Sequence, residues 1–318
     1  MINNDIWSEK YRPKKLDDII GQDDIIKKLK VYVIEKRMQH LLFSGSPGCG
    51  KTTTSLCLAR EMFGENWYSN FKELNSSDAR GIDVVRGEIK EFASTKSLGN
   101  FPFKIILLDE CDSLTIDAQN ALRRTMEKHS SDCKFILSCN YSGKIIEPIQ
   151  SRTFIFRFKP IKSDVMKNHL KLISVKENKK ITDDALEAIT YISEGDLRKA
   201  LGCLETSGLG VTDITIDNVY KSSGLAHPKY IRDLIESALK QNFFTAINLL
   251  DILLIEEGIN SLDIIKQMFK EVMVMNMTDK MKIKIIDSIG ECDFRISDGA
   301  DERIQMHGLL ASLMSIGY

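Results

Sequence analysis

Residues 45–52 read Gly-Ser-Pro-Gly-Cys-Gly-Lys-Thr, and this run fits the phosphate-loop pattern G-x-x-x-x-G-K-T. Residues 40–44 before it are typical of a short buried strand, and residues 53–62 after it are typical of a helix. Glycines let backbone N–H groups turn inward around a polyphosphate, and the N-terminus of the next helix favours a bound anion. The stretch therefore predicts a nucleoside triphosphate site in an α/β fold.

Each part of this loop has a predicted contact with the nucleotide. Lys51 is expected to reach the β- and γ-phosphates, and Thr52 is expected to ligate Mg²⁺. The residues predicted to bind the nucleotide here are Gly45, Ser46, Pro47, Gly48, Cys49, Gly50, Lys51, Thr52 and Thr53. A glycine-rich turn that matches by chance is the alternative, and the flanking strand and helix argue against it.

A second motif points to hydrolysis. Residues 104–110 form an apolar run, Lys-Ile-Ile-Leu-Leu, that ends in Asp109 and Glu110, as expected of a central parallel strand. Ligands of open α/β sheets bind beyond the carboxyl ends of the strands, so both carboxylates are expected beside the loop. Because adjacent strand residues point in opposite directions, they can differ in role. Asp109 is expected to support Mg²⁺, directly or through water, and Glu110 to polarise the attacking water.

Composition excludes several classes of protein. The 318 residues contain no unbroken apolar run long enough for a membrane span, and the N-terminus lacks the apolar core of a signal peptide. The seven cysteines show no C-x-x-C spacing, which suits a reducing, intracellular compartment and gives no zinc site. A net charge of −1 means that any nucleic-acid contact must come from a local basic patch.

The pattern of elements changes near residue 160. Strands are predicted near 40–44, 71–75, 104–110, 134–140 and 154–158, with helical stretches between them. This alternation is typical of a doubly wound parallel sheet. No strand pattern follows Pro160; helices are predicted over 181–193 and 197–207, and throughout beyond Pro228. We predict an α/β ATPase core (1–160), a small helical lid (161–225) and an all-α C-terminal domain (226–318).

Three polar residues gain meaning from their positions. Asn140 ends a predicted strand at the edge expected to hold the γ-phosphate; an ordinary turn asparagine would be the favoured interpretation if the neighbouring motifs were absent. Arg198 stands in the first turn of a helix, where the helix dipole disfavours a cation; a nearby anion would remove the conflict, and a solvated face is the alternative. Arg152 precedes a strand at the rim of the core, where it could serve a neighbouring subunit.

Several further stretches carry a resemblance to a known family. The opening Trp7–Pro13 and Leu16–Gln22, the stretch Leu74–Arg86 and the stretch Ala118–Glu127 resemble those of a small subunit of replication factor C, the AAA+ clamp loader. With the phosphate loop and the Asp109-Glu110 strand, the motifs occur in the family's order over nearly the whole chain. The fold that this resemblance implies is an AAA+ core, a helical lid and a helical collar used for oligomerisation.

The resemblance assigns roles to individual residues. Ser8, Tyr11, Arg12 and Ile20 would pack around adenine, Asn140 would be the first nucleotide sensor and Arg198 the second. Arg152 would be the arginine finger that completes the ATP site of the adjacent subunit in trans. Two departures are Cys111, where the family often has alanine, and Thr153, where it has cysteine. Chemistry is expected to survive both, with some added sensitivity to oxidation at Cys111.

The implied function is loading of a ring-shaped sliding clamp (PCNA) onto primer–template DNA, driven by ATP and Mg²⁺. The implied partners are other replication factor C subunits, in a hetero-oligomer expected to be a pentamer, located in the nucleus of a eukaryote or the cytoplasm of an archaeon. Arg80, Arg86 and Lys90 would face DNA phosphates. Two alternatives stay open: another AAA+ enzyme that remodels DNA or protein, and a structural subunit that hydrolyses nothing.

Replacing Arg86 and Lys90 with alanine tests the DNA assignment. Because phosphate contacts release counterions, the double variant should show weaker stimulation of ATPase by DNA and a flatter salt dependence. The measurement is the ATPase rate of the assembled complex against primed DNA at several salt concentrations. Unchanged stimulation and slope would show that the DNA face lies elsewhere.

Overall fold

The computed structural model describes residues 6–77, 85–99 and 101–317 and divides into two compact units, residues 1–205 and 206–318. The first unit contains a five-stranded parallel sheet: β1 (His40–Ser44), β2 (Phe71–Asn75), β3 (Lys104–Asp109), β4 (Cys133–Cys139) and β5 (Thr153–Arg157). The strand order is β2-β3-β4-β1-β5, so β1 lies between β4 and β5. The five predicted strands are confirmed to within about a residue at each end, and the sheet is parallel as predicted.

The helices of the first unit include those that cover the two faces of the sheet, and their bounds are as follows. They are α1 (Trp7–Lys10), α2 (Asp23–Glu35), α3 (Lys51–Phe63), α4 (Trp67–Asn70), α5 (Lys90–Ser94) after a π-helical turn at Val85–Ile89, α6 (Ile116–Lys128), α7 (Glu147–Gln150), α8 (Ser163–Lys176), α9 (Asp183–Ser193) and α10 (Leu197–Ser207). A two-residue strand, β6 (Lys180–Ile181), precedes α9, where the sequence predicted helix from residue 181.

The central strands are buried because their side chains are apolar on both faces. Residues 105–108 of β3 are at most 1% exposed. Ile105 and Leu107 pack on the face covered by α3, and Ile106 and Leu108 pack on the face covered by α6. This two-sided burial gives β3 a continuous aliphatic run and leaves Asp109 as its first polar residue at the carboxyl end.

Among the described residues of the second unit, the regular structure is helical apart from a two-residue strand, β7 (Asp213–Ile214). Its helices are α11 (Ile216–Ser223), α12 (Pro228–Leu239), α13 (Phe243–Asp251) with a π-helical turn at Ile252–Glu256, α14 (Ser261–Val274), α15 (Asp279–Ser297) and α16 (Glu302–Ile316). Asn260, Thr278 and Asp301 cap the last three helices through their side-chain oxygens. In the described part of the chain, no helix is long and apolar enough to cross a membrane.

A close approach at Gly195 joins α9 and α10 to the end of the sheet. Gly195 has φ +88°, and a Cβ there would lie 2.5 Å from Pro160 Cβ. Its carbonyl accepts a hydrogen bond from the Ile161 N–H at 3.1 Å. Only glycine satisfies both the left-handed backbone and the missing space.

Gly195→Ala should therefore destabilise the protein, by about 1–3 kcal/mol, because it adds backbone strain and a clash. Gly202→Ala is the matched control: this glycine lies inside α10 with open space around its Cβ position. The control should leave stability unchanged or raise it by up to about 1 kcal/mol. Urea denaturation followed by circular dichroism measures both, and equal midpoints for the two variants would contradict the packing described.

Candidate functional site

A cavity of about 230 Å³ lies at the carboxyl edge of the sheet, over the N-terminus of α3. Its lining comes from the N-terminal segment, the phosphate loop, the ends of β3 and β4, and helices α8 and α10. The lining residues are Ser8, Glu9, Tyr11, Arg12, Pro13, Asp18, Ile19, Ile20, residues 47–53, Asp109, Glu110, residues 138–140, Ile161, His169, Leu197, Arg198 and Leu201.

Lys51 is the buried charge of this cavity. Its side chain is 8% exposed, and its Nζ donates to the Gly45 carbonyl at 2.7 Å, the Ser46 carbonyl at 2.9 Å and Asn140 Oδ1 at 3.0 Å. An ammonium has three donors, so these acceptors match its capacity. Lys51 opens α3 two residues before the predicted start, because Gly50 (φ +98°) completes the turn of the loop.

Thr52 and Asp109 form the oxygen pair expected of a magnesium site. Thr52 Oγ1 donates to Asp109 Oδ2 at 2.5 Å, and the other carboxylate oxygen accepts from the Glu110 N–H at 2.9 Å. Hydroxyl and carboxylate oxygens are hard ligands that Mg²⁺ prefers, and such sites keep several waters, so this donor set fits that ion. In the described part of the chain, no cluster of three or more His, Cys, Asp or Glu side chains could hold a metal by itself.

Glu110 does not continue the strand. β3 ends at Asp109, and Glu110 has a left-handed backbone (φ 52°) with an exposed side chain on the cavity wall. The expectation that Asp109 and Glu110 point in opposite directions because both lie on the strand was therefore wrong, since only Asp109 belongs to β3. A turn into a 3₁₀ helix at Cys111–Ser113 separates them instead.

The phosphate loop packs against the start of α10. A Cβ on Gly48 (φ +64°) would lie 1.8 Å from Asp196 Oδ1, and the Gly48 carbonyl accepts from the Leu197 N–H at 3.2 Å. Asp196 caps α10, since its carboxylate accepts from the Lys199 N–H at 2.9 Å. This contact places the exposed Arg198 on the cavity wall, with its cationic group in the first turn of the helix.

Hydrogen bonds hold the N-terminal segment, residues 7–11, beside the cavity. The Tyr11 hydroxyl and the Lys10 ammonium both donate to Glu177 Oε1, the latter at 2.5 Å, and the Trp7 N–H donates to Glu205 at 2.9 Å. Burial, followed by the hydrogen bond to Glu177, raises the pKa of Tyr11 to about 12. Burial acts to raise the pKa of Glu177, but the hydrogen bonds from Lys10 and Tyr11 outweigh it and lower that pKa.

Several residues of the site carry no prediction from the sequence. Gln22 is buried and its amide nitrogen donates to the carbonyls of Cys49 at 3.3 Å and Lys159 at 2.7 Å, which ties the loop to the chain after β5. His169 lines the cavity from α8, and burial followed by the charge of Lys176 lowers its pKa, so it is neutral near pH 7. Gln22 and His169 lie in the site because distant segments of the chain meet there, and no local sequence pattern predicts such contacts.

The structure places most of the residues predicted to bind nucleotide around one cavity. Of the residues predicted to bind nucleotide, Gly45 and Ser46 do not line the cavity; they contribute carbonyls to Lys51 instead. Their predicted direct contact with nucleotide stays a prediction.

The remaining predicted residues lie elsewhere or are not described. Arg152 is not part of the cavity lining; it is exposed and pairs with Glu127 at 2.6 Å. Lys90 is exposed on α5. Arg80 and the side chain of Arg86 lie outside the described residues.

The burial of Cys111 disagrees with the expectation that this residue adds sensitivity to oxidation. Its side chain is 1% exposed in the core between the sheet and α6, and burial raises its pKa well above the usual value. Because the thiolate is the form that reacts with oxidants, burial protects this thiol.

Three family models match the chain in order. Residues 41–161 match the ATPase family associated with various cellular activities (AAA), and residues 168–209 match an RCF1/5-like AAA+ ATPase lid domain. Residues 226–312 match the replication factor C C-terminal domain. The nucleotide-binding loop and the sheet thus fall inside an AAA ATPase domain.

Curated relatives match over almost the whole chain. The replication factor C small subunit of Archaeoglobus fulgidus is 53% identical over 316 residues, covering 99% of each chain. That of Methanococcus vannielii is 52% identical over 307 residues, covering 96% of this chain and 98% of its own. Among solved structures, the RuvB Holliday junction branch migration motor of Thermotoga maritima matches with TM-score 0.56 and 20% identity, covering 79% of this chain and 86% of its own. That likeness shows a shared fold.

Glu177→Gln tests whether the N-terminal segment is held by charge. The variant removes the anion shared by Lys10 and Tyr11, so amides of residues 7–11 should exchange hydrogen at least about threefold faster at pH 7. The low pKa of Glu177 in the folded chain means that the tie stabilises above the ordinary carboxyl pKa and is lost as the pH falls through the folded value.

Glu187→Gln is the control for this experiment, because the exposed Glu187 pairs with Lys167 rather than with residues 7–11. Its exchange at residues 7–11 should equal that of the unmodified chain. Equal exchange in both variants would show that apolar packing alone holds the segment.

Proposed function

The chain belongs to the replication factor C small-subunit family, and we propose that it works as an ATP-hydrolysing subunit of a sliding-clamp loader in DNA replication. One observation carries the proposal: a single cavity joins the buried ammonium of Lys51, the Thr52–Asp109 pair and the carboxylate of Glu110. A cation beside a glycine loop favours a polyphosphate, and the hydroxyl–carboxylate pair favours Mg²⁺.

The residues that line the cavity suit the two parts of ATP, the phosphates and the base. Lys51 and Asn140 stand at the phosphate end, where Lys51 would exchange its carbonyl partners for phosphate oxygens. Ser8, Tyr11, Arg12 and Ile20 line the same cavity, and we assign the purine base to these residues of the N-terminal segment.

Hydrolysis is assigned to Glu110. Glu110 lies just beyond the end of β3 and lines the cavity with an exposed side chain. Its carboxylate can therefore accept a proton from a water placed against the γ-phosphate. Mg²⁺, held by Thr52 and Asp109, would supply charge neutralisation at the phosphate oxygens. Lys51 and Arg198 add positive charge to the same wall.

Arg152 is proposed to act on the ATP of a neighbouring subunit. It lies outside the cavity of its own chain, and its guanidinium is held by Glu127 and by the Pro148 carbonyl at 2.7 Å. These contacts keep an exposed cation in one orientation, which suits a group that enters another subunit's site. The partners are other replication factor C subunits, with a pentamer expected, the sliding clamp, and primer–template DNA that Arg80, Arg86 and Lys90 would contact.

The two alternatives are less well supported. A DNA- or protein-remodelling AAA+ enzyme would share the core, but residues 226–312 match the replication factor C C-terminal domain. A subunit that hydrolyses nothing would not need the complete set of Lys51, Thr52, Asp109 and Glu110 around one cavity.

Single-turnover ATPase of the assembled complex tests the assignment of Arg152. When Arg152→Ala subunits adjoin unmodified neighbours, hydrolysis at the shared site should fall about a thousandfold, because a finger stabilises charge only in the transition state. Nucleotide affinity of the isolated variant should change less than about threefold. Loss of affinity in the isolated variant would show that Arg152 acts on its own cavity.

Two further variants serve as controls for Arg152→Ala, one expected to lose function and one expected to keep it. Lys51→Ala should abolish nucleotide binding and clamp loading at its own site, and retained ATP-dependent loading there would refute the cavity as the ATP site. Arg295→Ala removes an exposed arginine with a comparable partner, Glu291 at 2.9 Å, and should leave hydrolysis unchanged.

A further inference from the structure

Ser138 carries a buried hydroxyl without a partner. In the described residues, only Ser138 Oγ and His129 Nε2 are buried side-chain polar atoms that form no hydrogen bond. Ser138 is 0% exposed on β4. Leaving a buried hydroxyl unpaired costs about 1–3 kcal/mol, so such groups usually have a specific cause.

The register of the sheet places this hydroxyl beside Asp109. On one side of β4, Ser138 pairs with Phe43 of β1. On the other side, Leu137 pairs with Leu108 of β3, so the next pair along both strands brings Ser138 opposite Asp109. Alternation along β4 points Ser138 to the same face as Ile136, which packs in the cluster beneath α3. Ser138 and Asp109 therefore both face the first turn of α3.

Ser138 also lines the nucleotide cavity, two residues before Asn140. The hydroxyl thus shares this cavity with the Thr52–Asp109 pair and with Asn140, which accepts a hydrogen bond from Lys51. Asp109 has capacity for another donor: each of its two oxygens accepts one hydrogen bond, from Thr52 and from the Glu110 N–H, while a carboxylate offers about four lone-pair sites.

We propose that Ser138 is a positioning residue for the metal end of the cavity, whose hydroxyl is linked through one water to the Asp109 carboxylate and fixes its orientation. The inference rests on the proposed function, because it assigns Mg²⁺ to Thr52 and Asp109. A bridging water needs two to four polar partners, and Ser138 Oγ, a carboxylate oxygen of Asp109 and the amide of Asn140 would supply them. Groups behind the direct ligands commonly tune metal affinity about 10- to 100-fold.

A simpler explanation makes the opposite prediction. If position 138 requires only a small side chain under the loop, removal of an unpaired hydroxyl is neutral or stabilising. Ser138→Ala keeps the small size and removes only the oxygen, so it separates the two explanations. Ser138→Thr restores the hydroxyl with one additional methyl group.

The experiment uses the full chain and a fluorescent ATP analogue. Affinity is measured in EDTA, and then the Mg²⁺ concentration that gives half of the metal-dependent rise in affinity is measured. Ser138→Ala should bind the metal-free nucleotide within twofold of the unmodified chain but need at least about fivefold more Mg²⁺. Ser138→Thr should recover most of the Mg²⁺ affinity.

The control is Ser174→Ala, which removes a buried hydroxyl of α8 that donates to the Lys171 carbonyl at 2.9 Å. Its Mg²⁺ requirement should be unchanged. Unchanged Mg²⁺ dependence in Ser138→Ala would overturn the proposal, and so would an equal loss of affinity in EDTA and in Mg²⁺. Failure of the proposed function gives a separate result: the unmodified chain would then bind nucleotide no better than Lys51→Ala.

Discussion

The structure of the first unit depends on a buried ammonium group. Lys51 is removed from water at the head of α3, and a charge in that position is tolerated only when oxygen atoms replace its hydration. Two of those atoms are carbonyls of the loop after β1, and the third is the amide of Asn140 after β4. Because β1 and β4 are neighbours in the sheet, the strand order itself supplies the coordination of Lys51.

The remaining walls of the cavity are joined to this centre by polar contacts between distant residues. Gln22 bonds the loop and the chain after β5, and Glu177 bonds the N-terminal segment to α8. Each such contact involves a half-buried or buried partner, so it is worth more than an exposed ion pair. The cavity is therefore shaped by a few specific side chains, and single substitutions at them should alter it.

Local sequence predicted the elements well and their contacts poorly. The strands and the turn of the phosphate loop follow from aliphatic runs and glycines, whose preferences act within a few residues. The left-handed Glu110, by contrast, depends on how the chain leaves β3 between packed layers. The bond from Tyr11 to Glu177 spans 166 positions in the chain and has no local signature. The family resemblance located Tyr11 and Asn140, but it could not indicate the unpaired hydroxyl of Ser138, which only burial and strand register reveal.

The contact between Gly48 and Asp196 limits which amino-acid substitutions this protein can accept at either position. No side chain fits at position 48 while Asp196 caps α10, since a Cβ would lie 1.8 Å from its carboxylate. A larger residue at 48 would need a shorter one at 196, which would in turn remove the cap and shift the start of the helix that carries Arg198. The loop and the start of α10 therefore constrain each other, and a substitution at position 48 should be tolerated better when position 196 is changed with it.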